Sequence, residues 1–221
     1  MMSVKSVAGV LGVAMMACAS WAGAADIPDI ALPAPRMEGG MPLMQALKVR
    51  QSSRAFSTQK LPVQVLSDLL WVAAGVNRPD SGKRTVPSAR NWQEVEVYVV
   101  MEEGGYRYDA KANVLKAVAK GDLRKLAGRQ DFVATAPLNL VYVGDPAKME
   151  GVSSETDIAM YLGADTAFMS QNVYLFCASE GLATVVRAMV DREALAKALG
   201  LSGKQRVTLA QTVGYPGTTS E

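Results

Sequence analysis

The stretch Leu138-Asn139-Leu140-Val141-Tyr142-Val143, preceded by Ala136-Pro137 and closed by Gly144-Asp145-Pro146, sets the fold class. Six residues of almost unbroken apolar character between turn formers are too few for an ordinary helix and too evenly apolar for a strand with one wet face. They predict a strand buried at the centre of a sheet. Upstream, residues 94 to 101 alternate polar and β-branched side chains as a half-buried strand does. Downstream, 205 to 212 sets Val207, Leu209 and Gln211 against Arg206, Thr208 and Ala210 with the same period of two. Between them lies the longest element. Ile158, Tyr161, Leu162, Asp165, Phe168, Met169, Asn172, Leu175, Phe176 and Ser179 recur at three- and four-residue spacing, which predicts one helix over 157 to 180 ended by Gly181. A shorter helix is predicted over 192 to 199, with Asp191 as its N-cap.

The N-terminal half reads less regularly. Residues 26 to 42 hold Pro28, Pro33, Pro35, Pro42 and Gly39-Gly40, which predicts an extended arm without regular structure. Helices are predicted over 43 to 49 and from Pro62 through Leu66, Leu69, Leu70 and Ala73 to a C-capping Gly75. Residues 76 to 89, with Asn77, Pro79, Asp80, Gly82 and Pro87, read as a loop, and 122 to 134 as a short helical patch. Residues 106 to 109 and 114 to 118 fit either a hairpin about 110 to 113 or one helix. Strands and helices are interspersed without the rhythm of a doubly wound sheet, and no glycine-rich phosphate loop occurs, so the class is α+β.

Composition narrows the chemistry. The chain has 221 residues, 49% hydrophobic and 20% charged, enough for one core and unlike a disordered or coiled-coil sequence. Lys+Arg 23 against Asp+Glu 21 gives a net charge of +2, with no basic run longer than a pair such as Lys83-Arg84, so no nucleic-acid partner is expected. There is no histidine. That excludes Ser-His-Asp and Cys-His nucleophile systems and most zinc and non-haem iron sites, so no metal site is expected and the chemistry points to a cofactor.

The first residues read as an export signal. Lys5 gives a positive start, 7 to 17 is apolar, and Ala22-Gly23-Ala24 offers the small residues that signal peptidase needs. The apolar run is shorter than the roughly 18 to 20 residues of a membrane span, so no stable membrane span is expected. Removing 25 of 221 residues leaves 196 and, with Lys5 the sole charge lost, a net charge of +1. This implies a bacterial periplasmic location. Met15-Met16-Ala17 before Cys18 weakly resembles a lipobox and keeps a lipid anchor through Cys18 as an alternative. After cleavage Cys177 is the only thiol, and its apolar setting predicts a buried, unreactive side chain.

The candidate binding residues begin with Arg50-Gln51-Ser52-Ser53-Arg54-Ala55-Phe56, at the end of the 43 to 49 helix. Two guanidiniums four residues apart with hydroxyls between them suit a phosphate, although the spacing alone favours solvated surface charges. Three further motifs follow in order: Pro87-Ser88-Ala89-Arg90-Asn91 before a strand, Glu180-Gly181-Leu182-Ala183-Thr184 closing the long helix, and Gln211-Thr212-Val213-Gly214-Tyr215-Pro216. Together they resemble the nitroreductase superfamily, over about residues 43 to 216. Tyr106-Arg107-Tyr108-Asp109 and 128 to 133 ahead of Ala136-Pro137 make the chain most similar to the branch containing the flavin dehydrogenases of azoline-peptide biosynthesis.

The resemblance implies a mixed sheet flanked by helices, in a homodimer with FMN at the subunit interface, formed by a domain spanning 43 to 221. It further implies that Arg50, Ser52 and Arg54, with Gln51 beside them, hold the phosphate and ribityl chain, and that Asn91 hydrogen-bonds the isoalloxazine edge. Val185, Val186 and Arg187 occupy the stretch whose backbone N–H groups face the flavin ring, an assignment by position and not by side chain. Many relatives have a basic residue after the Val-Gly-Tyr-Pro stretch, where this sequence reads Gly217-Thr218-Thr219-Ser220-Glu221. The phosphate is therefore expected to lean on Arg50 and Arg54, or to recruit Arg187, Lys204 or Arg206. The implied activity is ping-pong hydride transfer through flavin N5 from a small-molecule donor to a small organic acceptor such as a nitroaromatic or quinone. A substrate dehydrogenase of the azoline-oxidising type, a non-catalytic flavin-binding module and a cofactor-free scaffold are the alternatives. No protein catalytic residue is expected, because the flavin carries the chemistry, and substrate-facing positions are expected at 78 to 86 and 104 to 131.

Overall fold

The computed structural model describes residues 27–218, so the export signal expected over residues 1 to 25 and the last three residues lie outside it. Seven strands form one sheet: β1 (Ile30–Ala31), β4 (Val95–Met101), β5 (Gly104–Asp109), β6 (Val114–Lys120), β7 (Leu138–Gly144), β8 (Ala183–Arg187) and β9 (Arg206–Gly214). Their order is β1-β6-β5-β4-β7-β9-β8. A separate short hairpin pairs β2 (Val76–Arg78) with β3 (Lys83–Arg84). The helices are α1 (Leu43–Val49), α2 (Val63–Ala74), α3 (Asp131–Thr135), α4 (Glu155–Glu180) and α5 (Arg192–Ala198). The α+β class and the helix-flanked sheet stand as expected.

The sheet expected to be mixed has only antiparallel pairings among the described strands. The reason is the return of α4. It carries the chain from β7 to β8, which run parallel to each other, but β9 inserts between them and opposes both.

The apolar run at 138 to 143 lies within β7, inside the sheet, and every residue of β7 is buried. Leu138, Leu140 and Tyr142 pack with α2 and α4 on one face, while Val141 and Val143 pack with Leu195 and Leu199 at α5 on the other. This double cover also corrects the reading of 94 to 101 as half-buried. Val95, Val97 and Val99 join the first cluster and Tyr98 and Val100 the second, so β4 has no wet face.

Three local readings change. The arm from 27 to 42 is extended, but Ile30 and Ala31 pair with Leu115 and Val114, so it edges the sheet instead of lacking regular structure. The 76 to 89 loop contains the β2–β3 hairpin, turned at Gly82 in the left-handed region (φ 63°). Gly75 does end α2, but with φ −67° it needs no left-handed freedom; it is required because a Cβ there would enter the Trp71 ring. The open choice at 106 to 118 resolves as the β5–β6 hairpin. Asp191 caps α5 by accepting the Ala194 N–H at 3.2 Å, and Gly181 closes α4 with φ 67°.

Candidate functional site

α1 stops where Arg50 turns extended, and the chain then runs along the outer edge of β8. Ser53 N–H donates to Thr184 O at 2.9 Å, Phe56 bridges to Pro216, and Gly217 N–H donates back to Ala55 O at 3.1 Å. The segment 50–57 is thereby clamped between the β8 edge and the end of β9. These contacts bring the first, third and fourth sequence motifs into one place.

One side chain that no sequence motif singles out joins them. The Tyr174 hydroxyl, on α4, accepts the Val186 N–H at 3.0 Å and shares a hydrogen bond with Ser52 Oγ at 2.8 Å, while the Arg50 guanidinium sits 5.4 Å from its ring centroid. The available signal was chemical: a buried tyrosine hydroxyl needs a partner. Because β8 is the edge strand and Val186 points its N–H outward, alternation turns the N–H groups of Val185 and Arg187 inward to β9. Of the three backbone donors assigned by position, only that of Val186 lies on the open edge.

The cations divide sharply. Arg54 is exposed and, among the described residues, neither its guanidinium nor that of Arg50 has an acidic partner. Gln51 and Ser52 are also exposed beside them, and Gln51, Ser53, Tyr174 and Thr184 line a cleft of about 300 Å³. Two guanidiniums without acidic partners, a hydroxyl and an amide on one short segment beside the β8 edge form a donor set that suits a phosphate-bearing cofactor. The alternative phosphate ligands differ. Arg206 is held by both oxygens of Glu155, at 2.7 and 3.1 Å. Arg187 is 6% exposed and donates to Ala127 O, Asn139 Oδ1 and Thr212 Oγ1 at 2.6, 2.8 and 2.6 Å. Burial lowers its pKa only to about 10, so it stays charged at neutral pH.

Asn91 lies on a different wall. It faces the largest cavity, about 1110 Å³, with Arg84, Trp92, Arg107 and Lys111. The hairpin at 76–84, the 88–93 loop and the β5–β6 turn enclose that space, so the two regions expected to face substrate meet there. Lys83 is exposed, whereas Arg84 is partly buried and donates to Val95 O at 3.1 Å. Within one chain, Asn91 lines one cleft, and Gln51 and Ser53 of the 50–54 segment line another. Cys177 is fully buried, and desolvation pushes its thiol far above the ordinary range. No cluster of three or more potential metal ligands occurs among the described residues, and none of their helices is long and apolar enough to cross a membrane.

The nitroreductase family model matches residues 47–215, which include the 50–54 segment, Asn91, β8 and the end of β9. The chain belongs to the nitroreductase family. A Methanocaldococcus jannaschii protein assigned by name to the nitroreductases is 30% identical over 174 residues, covering 71% of this chain and 87% of its own. The crystal structure of a Ralstonia eutropha JMP134 protein, also assigned to the nitroreductases, superposes with a TM-score of 0.81 at 41% identity, covering 86% of this chain and 90% of that one. The NADPH:FMN oxidoreductase of Vibrio harveyi, solved with NAD+, shares the fold at a TM-score of 0.59 and 19% identity, covering 81% of this chain and 70% of that one. As a nitroreductase the protein is an oxidoreductase of a commonly flavin-dependent family.

Proposed function

We propose that this nitroreductase binds FMN and passes hydride from a small-molecule donor to a small organic acceptor, such as a nitroaromatic or quinone, by a two-step exchange. The observation that carries the reading is the pair of guanidiniums without acidic partners, Arg50 and Arg54, held with Gln51 and Ser52 on the segment that runs beside the β8 edge. When bound, FMN supplies the hydride chemistry at its N5 atom, so no protein nucleophile is required. The chain's own residues then bind and orient. Arg50 and Arg54 hold the phosphate, and Ser52, steadied by Tyr174, holds the ribityl chain. Asn91 offers both an amide donor and an acceptor to the ring edge. Of the 185–187 stretch, Val186 is the residue on the open edge that would face the ring, its N–H held by the Tyr174 hydroxyl. The cavity between the 76–84 hairpin and the β5–β6 turn takes the acceptor.

Dimerisation belongs to the same proposal. Leu43, Met44, Leu47 and Val49 on α1 are 61, 75, 43 and 48% exposed, and Met160 and Phe168 on α4 are 57 and 46% exposed. α1 leads directly into the 50–54 segment and packs on α4, and a second copy that covers these side chains encloses the cofactor between subunits. The export signal read in the N-terminal sequence supports a location outside the cytoplasm, where nicotinamides are scarce, and with it a donor other than NADH or NADPH, such as another reduced small molecule or a membrane donor.

The test is an absorbance spectrum of the chain lacking residues 1 to 25, followed by anaerobic addition of NADH, NADPH and dithionite. The expected result is the two-band spectrum of oxidised flavin, bleached by dithionite and reoxidised rapidly by a quinone. A colourless protein that takes up no added FMN would overturn the reading.

A further inference from the structure

The loop that presents Asn91 adopts a backbone its residues do not favour. Arg90, Asn91 and Gln93 have φ of 49, 56 and 49°, a region open chiefly to glycine, so the surrounding structure has to impose it. The imposing groups lie directly beneath. Glu94 is 0% exposed and Asp165, on α4, is 4% exposed. Ser88 Oγ donates to Glu94 Oε2 at 3.0 Å and accepts the Gln93 N–H at 2.8 Å. Asp165 Oδ2 accepts the Ala89 N–H at 3.0 Å, and Asn91 N–H closes the turn on Ser88 O at 2.9 Å. The two carboxyl groups lie within hydrogen-bond reach of each other. Glu94 Oε1 has no other partner among the described residues. As an anion, Glu94 would be a buried charge against a second anion; as a neutral acid, it has a proton to give to Asp165.

We propose that Glu94 and Asp165 share one proton, and that this carboxyl–carboxylate pair is the clamp that fixes the 88–93 loop and positions Asn91. Burial first, and then Asp165, push Glu94 up to about 7. Arg84, from β3, is the cation whose field reaches Glu94, and it is not hydrogen-bonded to it. A folded pKa raised above the ordinary 4.5 means the clamp's contribution is complete below that value and is lost as pH rises through about 7. The effect on cofactor binding rests on the flavin reading of Asn91. The state of the loop does not.

Trp92 reports that loop directly, since it stands edge-on to Tyr161 of α4 with ring centroids 5.4 Å apart. The experiment is 19F NMR of the full mature chain labelled with 5-fluorotryptophan, the Trp92 signal being assigned with Trp92→Phe. It is recorded from about pH 5 to about pH 9, with FMN affinity measured alongside by fluorescence quenching. The wild type is expected to show a Trp92 transition centred near 7. FMN affinity is expected to weaken above that midpoint by up to about tenfold per pH unit. Glu94→Gln donates to Asp165 at every pH, so its Trp92 signal and its FMN affinity are expected to stay at their low-pH values throughout. Asp165→Asn removes the neighbouring charge and is expected to move the midpoint down; it tests the clamp if Glu94→Gln fails to fold. A pH-independent Trp92 signal in the wild type, or an unchanged midpoint in both variants, would overturn the clamp. FMN binding with no titration of Trp92 sinks the clamp and leaves the flavin reading standing. Titration of Trp92 in a protein that binds no FMN supports the clamp and sinks the flavin reading.

Discussion

Arg187 and Arg54 are the same side chain put to opposite uses. Arg187 is enclosed by the sheet and spends its donors on a carbonyl, an amide and a hydroxyl, all from the chain itself. Its Nε is buried without a partner, and no carboxylate lies within ion-pair distance among the described residues. Arg54 is exposed and has no internal partner among the described residues. The difference separates an arginine that builds the protein from one that waits for a ligand. A buried guanidinium whose Nη donors are committed to its own fold has none to offer an anion, whereas an exposed one without an internal partner has all of them free.

The largest effect expected from breaking this contrast is on the buried member. Arg187→Met strands Ala127 O and removes two further charge-assisted hydrogen bonds, to Asn139 Oδ1 and Thr212 Oγ1, which keep only each other; at roughly 1 to 3 kcal/mol for each loss this is about 3 kcal/mol or more of stability. For a domain of this size the melting temperature should fall by roughly 6 to 12 °C in calorimetry. A variant as stable as the wild type would show that the network holds nothing together. Met44→Asp probes the exposed apolar face instead: analytical ultracentrifugation should find the wild type as the proposed dimer and the variant as a monomer with the same circular dichroism spectrum, and a monomeric wild type would contradict the proposed dimer. Arg54→Ala should leave the melting temperature of the cofactor-free protein unchanged and weaken FMN binding by about 1.5 to 3 kcal/mol, or roughly 10- to 150-fold. Equal losses of stability and binding would erase the contrast between the two arginines. The smallest effect belongs to Cys177→Ser, which should cost about 1 kcal/mol of stability and leave turnover intact, because the thiol is fully buried and engaged with Thr184.

The architecture was legible where periodicity was long or closed by turn formers. The 26-residue α4 and the apolar β7 announce themselves. β8 did not, because Ala183–Arg187 is five residues long and follows the helix end after only Gly181 and Leu182. The β2–β3 hairpin was hidden because Asn77, Arg78 and Lys83 are exposed and carry no apolar signal. An antiparallel sheet with β9 inserted beside β7 is a long-range choice that no local pattern records. At the site, the 50–54 motif and Asn91 were visible as residue types, and the family model spans both. Tyr174 and the Glu94–Asp165 pair were not, because each acts through partners distant in sequence: Ser52 is 122 residues from Tyr174, and Ala89 is 76 from Asp165. Asn139, inside an apolar run, was the one local hint that a buried polar network crosses the sheet.

The central claim, that the 50–54 segment is a phosphate cradle, is tested most directly by titrating the mature protein and its Arg54→Ala variant with FMN and with riboflavin, which lacks the phosphate. The account predicts that the wild type binds FMN at least about tenfold more tightly than riboflavin, and that the variant loses this preference while keeping its riboflavin affinity. Equal affinities for the two flavins in the wild type, or an undiminished preference in the variant, would contradict it.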